Sequence, residues 1–167
     1  MLMTMAPHPH SNSTSLQIGW CEYVGLPKWG VNQLRAKIDT GARSSALHVA
    51  NLKKLTRNRV AFDVVLHRDL HERCVHVVAP VVRRASVRPT TGKAQRRYFV
   101  KTTLHLGDTE REIEISLIDR GEMRFRMILG RTALHGIIVN VSQRYALGRE
   151  KKNLQLAKKK TTKAKPK

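Results

Sequence analysis

Acidic residues are scarce in this chain. Twelve Asp and Glu stand against 32 Lys and Arg, a formal net charge of +20 over 167 residues. Such a balance points to RNA, the ribosome or an acidic substrate. Aromatic residues make up only 5% of the chain. No stretch approaches the roughly 20 apolar residues of a membrane span, so no membrane partner is expected. Only two cysteines occur, Cys21 and Cys74. They form neither a metal pattern nor a disulfide framework and point to a reducing cytoplasm. H-E-x-x-H is also missing. The nearest run is H-E-R-C-V-H, His71 to His76. At a spacing of five, two imidazoles do not share a helix face, and on a strand they point to opposite sides. His67, Asp69 and His71 would share one strand face, but a solvated hairpin rich in His and Arg is the simpler reading, so no metal ligand is assigned. There is no G-x-x-x-x-G-K-[ST] loop for ATP. The residues call for no cofactor.

The charge that is present is unevenly spread. From Arg149 onward the chain carries +8, which leaves +12 for residues 1 to 148. The Lys-rich tail, 150–167, has too little apolar surface to fold alone and suits a polyanion such as RNA or the ribosome, through counterion release. Residues 1–16 are rich in Pro, His, Ser and Asn and lack the basic and apolar regions of a secretory signal, so they read as a disordered leader. A single domain is expected over 17–149, long enough to bury a core.

That domain reads as strands. Ile18 to Val24 is apolar and aromatic, and G-L-P-K-W-G, Gly25 to Gly30, is a turn. Leu34, Ala36 and Ile38 alternate with Arg35 and Lys37, a half-buried strand ending at Asp39. Val60 to Leu66 and Cys74 to Val82 are further strands. Arg83 to Arg97, with Pro89 and Gly92 near its middle, reads as a long hairpin arm. Tyr98 to Leu106 alternates, and Gly107 turns the chain into Glu110 to Ile118. There Glu110, Glu112 and Glu114 face one way, with Ile113, Ile115 and Leu117 opposite. Phe125 to Leu129 is a short strand, Arg131 to His135 one or two helical turns, and Ile137 to Val141 a closing strand. The sum is a mostly-β domain, a closed or curled barrel.

One carboxylate stands out. K-I-D-T-G-A-R-S-S-A, Lys37 to Ala46, places Asp39 in a tight turn, where Asp and Gly are common for local reasons alone. Yet D-T-G, Asp39 to Gly41, matches the signature of aspartic proteases, and I-L-G-R, Ile128 to Arg131, follows in the order of retropepsin-like enzymes. The chemistry needs two carboxylates that share one proton, one acting as base on water and the other as acid to the carbonyl oxygen. Thr40 can lock the loop through its hydroxyl. Gly41 lets the backbone come close to the site and to its symmetry mate. The chain holds one D-T-G, so the second carboxylate must come from a second copy in a C2 homodimer.

The longer blocks W-C-E-Y-V-G-L-P, A-K-I-D-T-G-A-R-S-S-A-L-H and M-R-F-R-M-I-L-G-R-T-A-L resemble one bacterial family, the retropepsin-like aspartic peptidases often labelled "ATP-dependent zinc protease". The resemblance covers about Ile18 to Arg149. It implies an acid-protease barrel with one short C-terminal helix and one half-site per chain, an association with ATP-grasp glutamate ligases, and an acidic substrate such as glutamate-tailed ribosomal protein S6. Neither half of the label is supported by the residues, which offer no zincin motif and no ATP loop.

One position departs from retroviral enzymes. Where those carry an acidic residue that pairs with the arginine after I-L-G, this chain has Arg43, which cannot pair with Arg131. Asp119 or Glu122 would have to rebuild that contact. Arg43 could instead hold a substrate carboxylate bidentately. Ser44, His48 and Arg131 are further candidates to line the cleft. The arm, with Arg83, Arg84, Arg88, Lys93, Arg96 and Arg97, is the candidate flap. A non-catalytic RNA- or ribosome-binding module on the same fold is the alternative reading.

Overall fold

The computed structural model describes residues 15–67, 73–88, 92, 94–118 and 124–148. The leader before residue 15 and the Lys-rich tail lie outside them. So do Asp69, His71, Lys93, Asp119 and Glu122, on which several expectations rested.

Eleven strands follow one another: β1 Gln17–Gly19, β2 Cys21–Leu26, β3 Val31–Ile38, β4 Ser45–Lys54, β5 Arg59–Val65, β6 Cys74–Pro80, β7 Arg83–Val87, β8 Gln95–Leu106, β9 Thr109–Ile118, β10 Met127–Leu129 and β11 Ile138–Asn140. Short β10 decides the architecture. It lies parallel to β3, with Leu129 opposite Ile38, and antiparallel to β4, with Met127 opposite Leu47. The order β10-β3-β2-β8-β9-β4 therefore returns to β10 and closes a six-strand barrel. Strands β5 and β6 extend the sheet beyond β4, β7 pairs with β8, and β1 with β11 forms a separate parallel ribbon.

The core is the set of inward positions along these strands. Leu34, Leu47, Phe62, Val100, Leu104, Ile115, Met127 and Leu129 are fully buried. The few aromatics work in pairs. Trp29 meets the edge of Phe62 at 5.5 Å, Trp20 meets Phe125 at 6.1 Å, and Tyr23 stacks on Tyr145 at 4.6 Å. The mostly-β barrel is as expected, and the Glu110/Glu112/Glu114 face of β9 is turned out while Ile113, Ile115 and Leu117 are buried.

Four local expectations need correction. Ile18 to Val24 is not one strand. The chain breaks at Trp20, so that β1 can pair with β11 while β2 pairs with β3. The turn expected from Gly25 starts later, because Gly25 and Leu26 remain in β2; Pro27–Trp29 then forms a single 3-10 turn that ends at Gly30 with φ 69°. The C-terminal helix is also only one 3-10 turn, Arg131–Ala133. Strand β4 was not anticipated. Ser45, Ala46, Leu47, His48 and Val49 are buried in succession, so the segment carries no period-two signal.

Candidate active site

Asp39 follows directly on β3, at the end where β3 and β10 run side by side. Its backbone N–H donates to the Leu129 carbonyl at 2.9 Å. Its side chain is held by its own loop: Oδ1 accepts from the Gly41 N–H at 3.1 Å and the Ala42 N–H at 3.0 Å. This is the local turn that a short acidic side chain makes. Asp39 is half-buried, while Thr40, Gly41 and Arg43 are exposed.

The L-G-R turn braces the loop from behind. Arg131 N–H donates to the Ala42 carbonyl at 2.9 Å, and Thr132 gives both its N–H and its hydroxyl to the Arg43 carbonyl, each at 3.1 Å. Gly130 N–H donates to the Ser45 hydroxyl at 3.2 Å. A methyl group on Gly130 would sit 2.6 Å from the Ser44 carbonyl carbon and 3.0 Å from the Ala42 oxygen, so only glycine allows this approach. Ser45 and Thr132 thus help to fix the loop. Sequence reasoning missed both, since isolated hydroxyls carry no motif.

The other candidates are distributed as follows. Ser44 is half-buried beside Gly130 through its main chain. Arg43 and Arg131 are both exposed, and among the described residues neither forms an ion pair, in keeping with their like charge. Two loop expectations differ within one chain. The Thr40 hydroxyl makes no hydrogen bond among the described residues, so the loop is locked by Asp39 and the backbone instead. A methyl group on Gly41 would meet only Asp39 Oδ1, at 3.4 Å, an ordinary contact. A single chain therefore does not demand glycine there.

His48 is only 4% exposed within β4, with its N–H bonded to the Arg126 carbonyl at 2.7 Å, which withdraws it from solvent in the single chain. The arm is a real hairpin, with Arg83 opposite Phe99 and Val87 opposite Gln95. Its arginines are not equivalent. Arg83 lies over the Phe99 ring at 3.6 Å and donates to Glu114 at 2.9 Å, and Arg84 lies over Tyr98 at 5.2 Å. Arg97 is 8% exposed, and burial pulls its guanidinium below its ordinary proton affinity. Arg88 and Arg96 are exposed and available to a ligand. His76 pairs with Asp63 at 2.8 Å. Among the described residues no three His, Cys, Asp or Glu gather in a way that could hold a metal ion, and no helix is long and apolar enough to cross a membrane.

A closed barrel that carries one D-T-G loop, braced by one L-G-R turn, is the arrangement of a retropepsin-like fold. The family described as retropepsin-like aspartic endopeptidase RimB matches residues 17–150, and the chain belongs to this RimB-like family.

Relatives include proteins described as "Probable alpha-L-glutamate ligase" from Shewanella pealeana, 30% identical over 143 residues, and from Parasynechococcus marenigrum, 33% identical over 137. These matches cover 83% and 78% of this chain but only 31% and 29% of the relatives, so the chain spans less than a third of their length. The descriptions agree with the association between this family and glutamate ligases. The crystal structure of a Legionella pneumophila protein of unknown function matches with a TM-score of 0.68 at 22% identity, covering 80% of this chain and 99% of that one, and so shares the fold.

Proposed function

We propose that the protein is an aspartic endopeptidase that works as a C2 homodimer on acidic peptides, with glutamate tails such as those added to ribosomal protein S6 as the substrate class. The observation that carries this reading is the Asp39 loop. It is a half-buried carboxylate with one oxygen anchored by two N–H groups, in an exposed loop clamped from behind by the L-G-R turn.

A second copy supplies the second Asp39. One carboxylate takes a proton from water as the oxygen attacks the carbonyl carbon. The other, protonated, gives its proton to the carbonyl oxygen. Collapse of the tetrahedral diol then breaks the C–N bond, and the departing amine takes a proton. The freedom around Gly41 suits a partner loop lying against it. The β1–β11 ribbon, with Ile138 54% and Val141 77% exposed, offers apolar surface for the same partner. The relatives' descriptions supply the substrate class: where a ligase adds glutamate, a hydrolase of the same association removes it. Arg43, Arg88, Arg96 and Arg131 are the exposed cations for such a chain.

The test is mass spectrometry of a glutamate-tailed peptide after incubation with wild type and with Asp39→Asn. The variant keeps an oxygen for the two N–H groups but loses the acid–base function. Shortening by wild type, reduced by about 10²–10⁴-fold or more in the variant, is the expected result. A statine-type inhibitor should block cleavage and a chelator should not. If wild type leaves the peptide intact yet binds RNA with a steep salt dependence, the non-catalytic module is correct.

A further inference from the structure

Outside the catalytic loop the largest concentration of uncompensated charge is a cavity of about 500 Å³. Arg35, Arg73, Arg124 and Arg126 line it, together with His67 and Tyr23, and no carboxylate is among its described lining residues. Elsewhere this chain spends its few acids on neutralising cations: Glu114 on Arg83, Glu112 on Lys101, Asp63 on His76. Four guanidinium groups around one hollow repel one another and weaken the fold unless an anion occupies it.

The groups are also held in place before any ligand arrives. Arg35 and Arg124 both lie over the ring of Phe125, at 6.0 and 5.8 Å, and Phe125 is itself set against Trp20. Arg35 in addition hydrogen-bonds the Tyr145 side chain. Arg126 is only 4% exposed. Fixed guanidinium forks recognise carboxylates bidentately and lose little entropy in doing so.

The position of the cavity relative to Asp39 follows from register. Strands β3 and β10 are parallel neighbours, with Met127 opposite Ala36 and Leu129 opposite Ile38. Arg35 and Arg126 lie toward the start of this pair, and Asp39 lies just past its end. Arg35, Lys37 and Asp39 alternate, so they share one face, and Arg35 is about 13 Å from Asp39 at ~3.3 Å per residue. An extended peptide covers that span with about four residues.

We propose that this arginine-lined cavity is a carboxylate-binding subsite. It holds acidic side chains of the substrate about four residues from the scissile bond, and so selects a run of acidic residues rather than one acid at the cleavage point. The assignment of a peptide substrate rests on the peptidase reading above, but binding to the cavity is measurable without cleavage.

The test uses the full-length chain carrying Asp39→Asn and a fluorescent oligoglutamate peptide, followed by anisotropy at physiological salt. Arg73→Ala/Arg124→Ala removes two exposed cavity cations. Arg57→Ala/Arg59→Ala removes two exposed cations elsewhere and serves as the charge-matched control. The cavity pair should weaken binding by about tenfold or more, as lost charge-assisted bonds do, and the control by about threefold or less. In the active protein, kcat/KM for a peptide with a long glutamate run should fall in the cavity variant, while a peptide ending just past the scissile bond is unaffected. Equal weakening by both pairs overturns the proposal. So does a cavity variant that loses RNA binding but keeps oligoglutamate. If the cavity pair alone loses oligoglutamate while wild type cleaves nothing, the subsite stands and the peptidase reading falls.

Discussion

Replacing Gly130 by alanine tests whether the wedge behind the catalytic loop is as tight as its geometry requires. Gly130 has φ −87° and ψ 172°, a conformation open to any residue, so the substitution brings no backbone strain of its own. The cost is steric. The added methyl lies 2.6 Å from the Ser44 carbonyl carbon and 2.7 Å from its oxygen, and both are main-chain atoms that cannot rotate away. Overpacking costs about 1–3 kcal/mol. Moving the strand also loosens the Gly130–Ser45 and Arg131–Ala42 bonds, each worth about 1 kcal/mol. A loss of about 3 kcal/mol is therefore expected, which is roughly 10 °C in Tm for a domain of this size. The assay is thermal melting by circular dichroism, with Gly41→Ala alongside. Gly41 is not in the left-handed region and its added methyl makes only an ordinary contact, so that variant should melt within about 2 °C of wild type. A Gly130→Ala protein that melts as wild type does would refute the claim that the L-G-R turn rigidly sets the Asp39 loop.

Gly41→Ala should nevertheless lose dimerisation and activity, read by sedimentation and peptide cleavage, because the close approach it permits is to a second copy. Glu22→Ala should cost about 2–4 kcal/mol in urea unfolding; the fully buried Glu22 carboxylate accepts the Gly19 N–H at 2.6 Å and the Ala146 N–H at 2.8 Å, and both would lose their partner. A disulfide reagent should label Cys74 quickly at neutral pH and Cys21 only on unfolding, since Cys74 is exposed while burial pushes the Cys21 thiol up. Hydrogen bonds from Asn51 and His76 hold the Asp63 carboxyl below its ordinary value. With the folded value depressed, its contribution is present above the ordinary carboxylate pKa near 3.8 and is lost as pH falls through the folded one. Asp63→Asn should flatten the fall in urea midpoint below that pH.

Much of the fold was legible because half-buried strands write their orientation into the sequence. Strand β9 sets Glu112 out and Ile113 in, and the arm announced itself by Pro89 and Gly92 between basic flanks. Strand β4 was illegible for the opposite reason, since residues 45 to 49 are buried in succession. The burial of His48 and Arg97 was equally hidden. Each depends on what the rest of the chain lays over it, and the local pattern of polar and apolar residues gives no hint of that.

The sequence by itself determined the catalytic turn, because Asp39 Oδ1 and the N–H groups of Gly41 and Ala42 are within three residues of one another. It determined the excess of positive charge as well. Only the tertiary structure decided what stands behind that turn and beside it. Strand β10 closes the barrel by fitting between β3 and β4, segments some 70 to 100 residues away along the chain. The arginine cavity likewise draws on three separate stretches, around residues 23–35, 66–73 and 124–126. Contacts of that range form only when the whole barrel closes, so no local run of residues could have shown them.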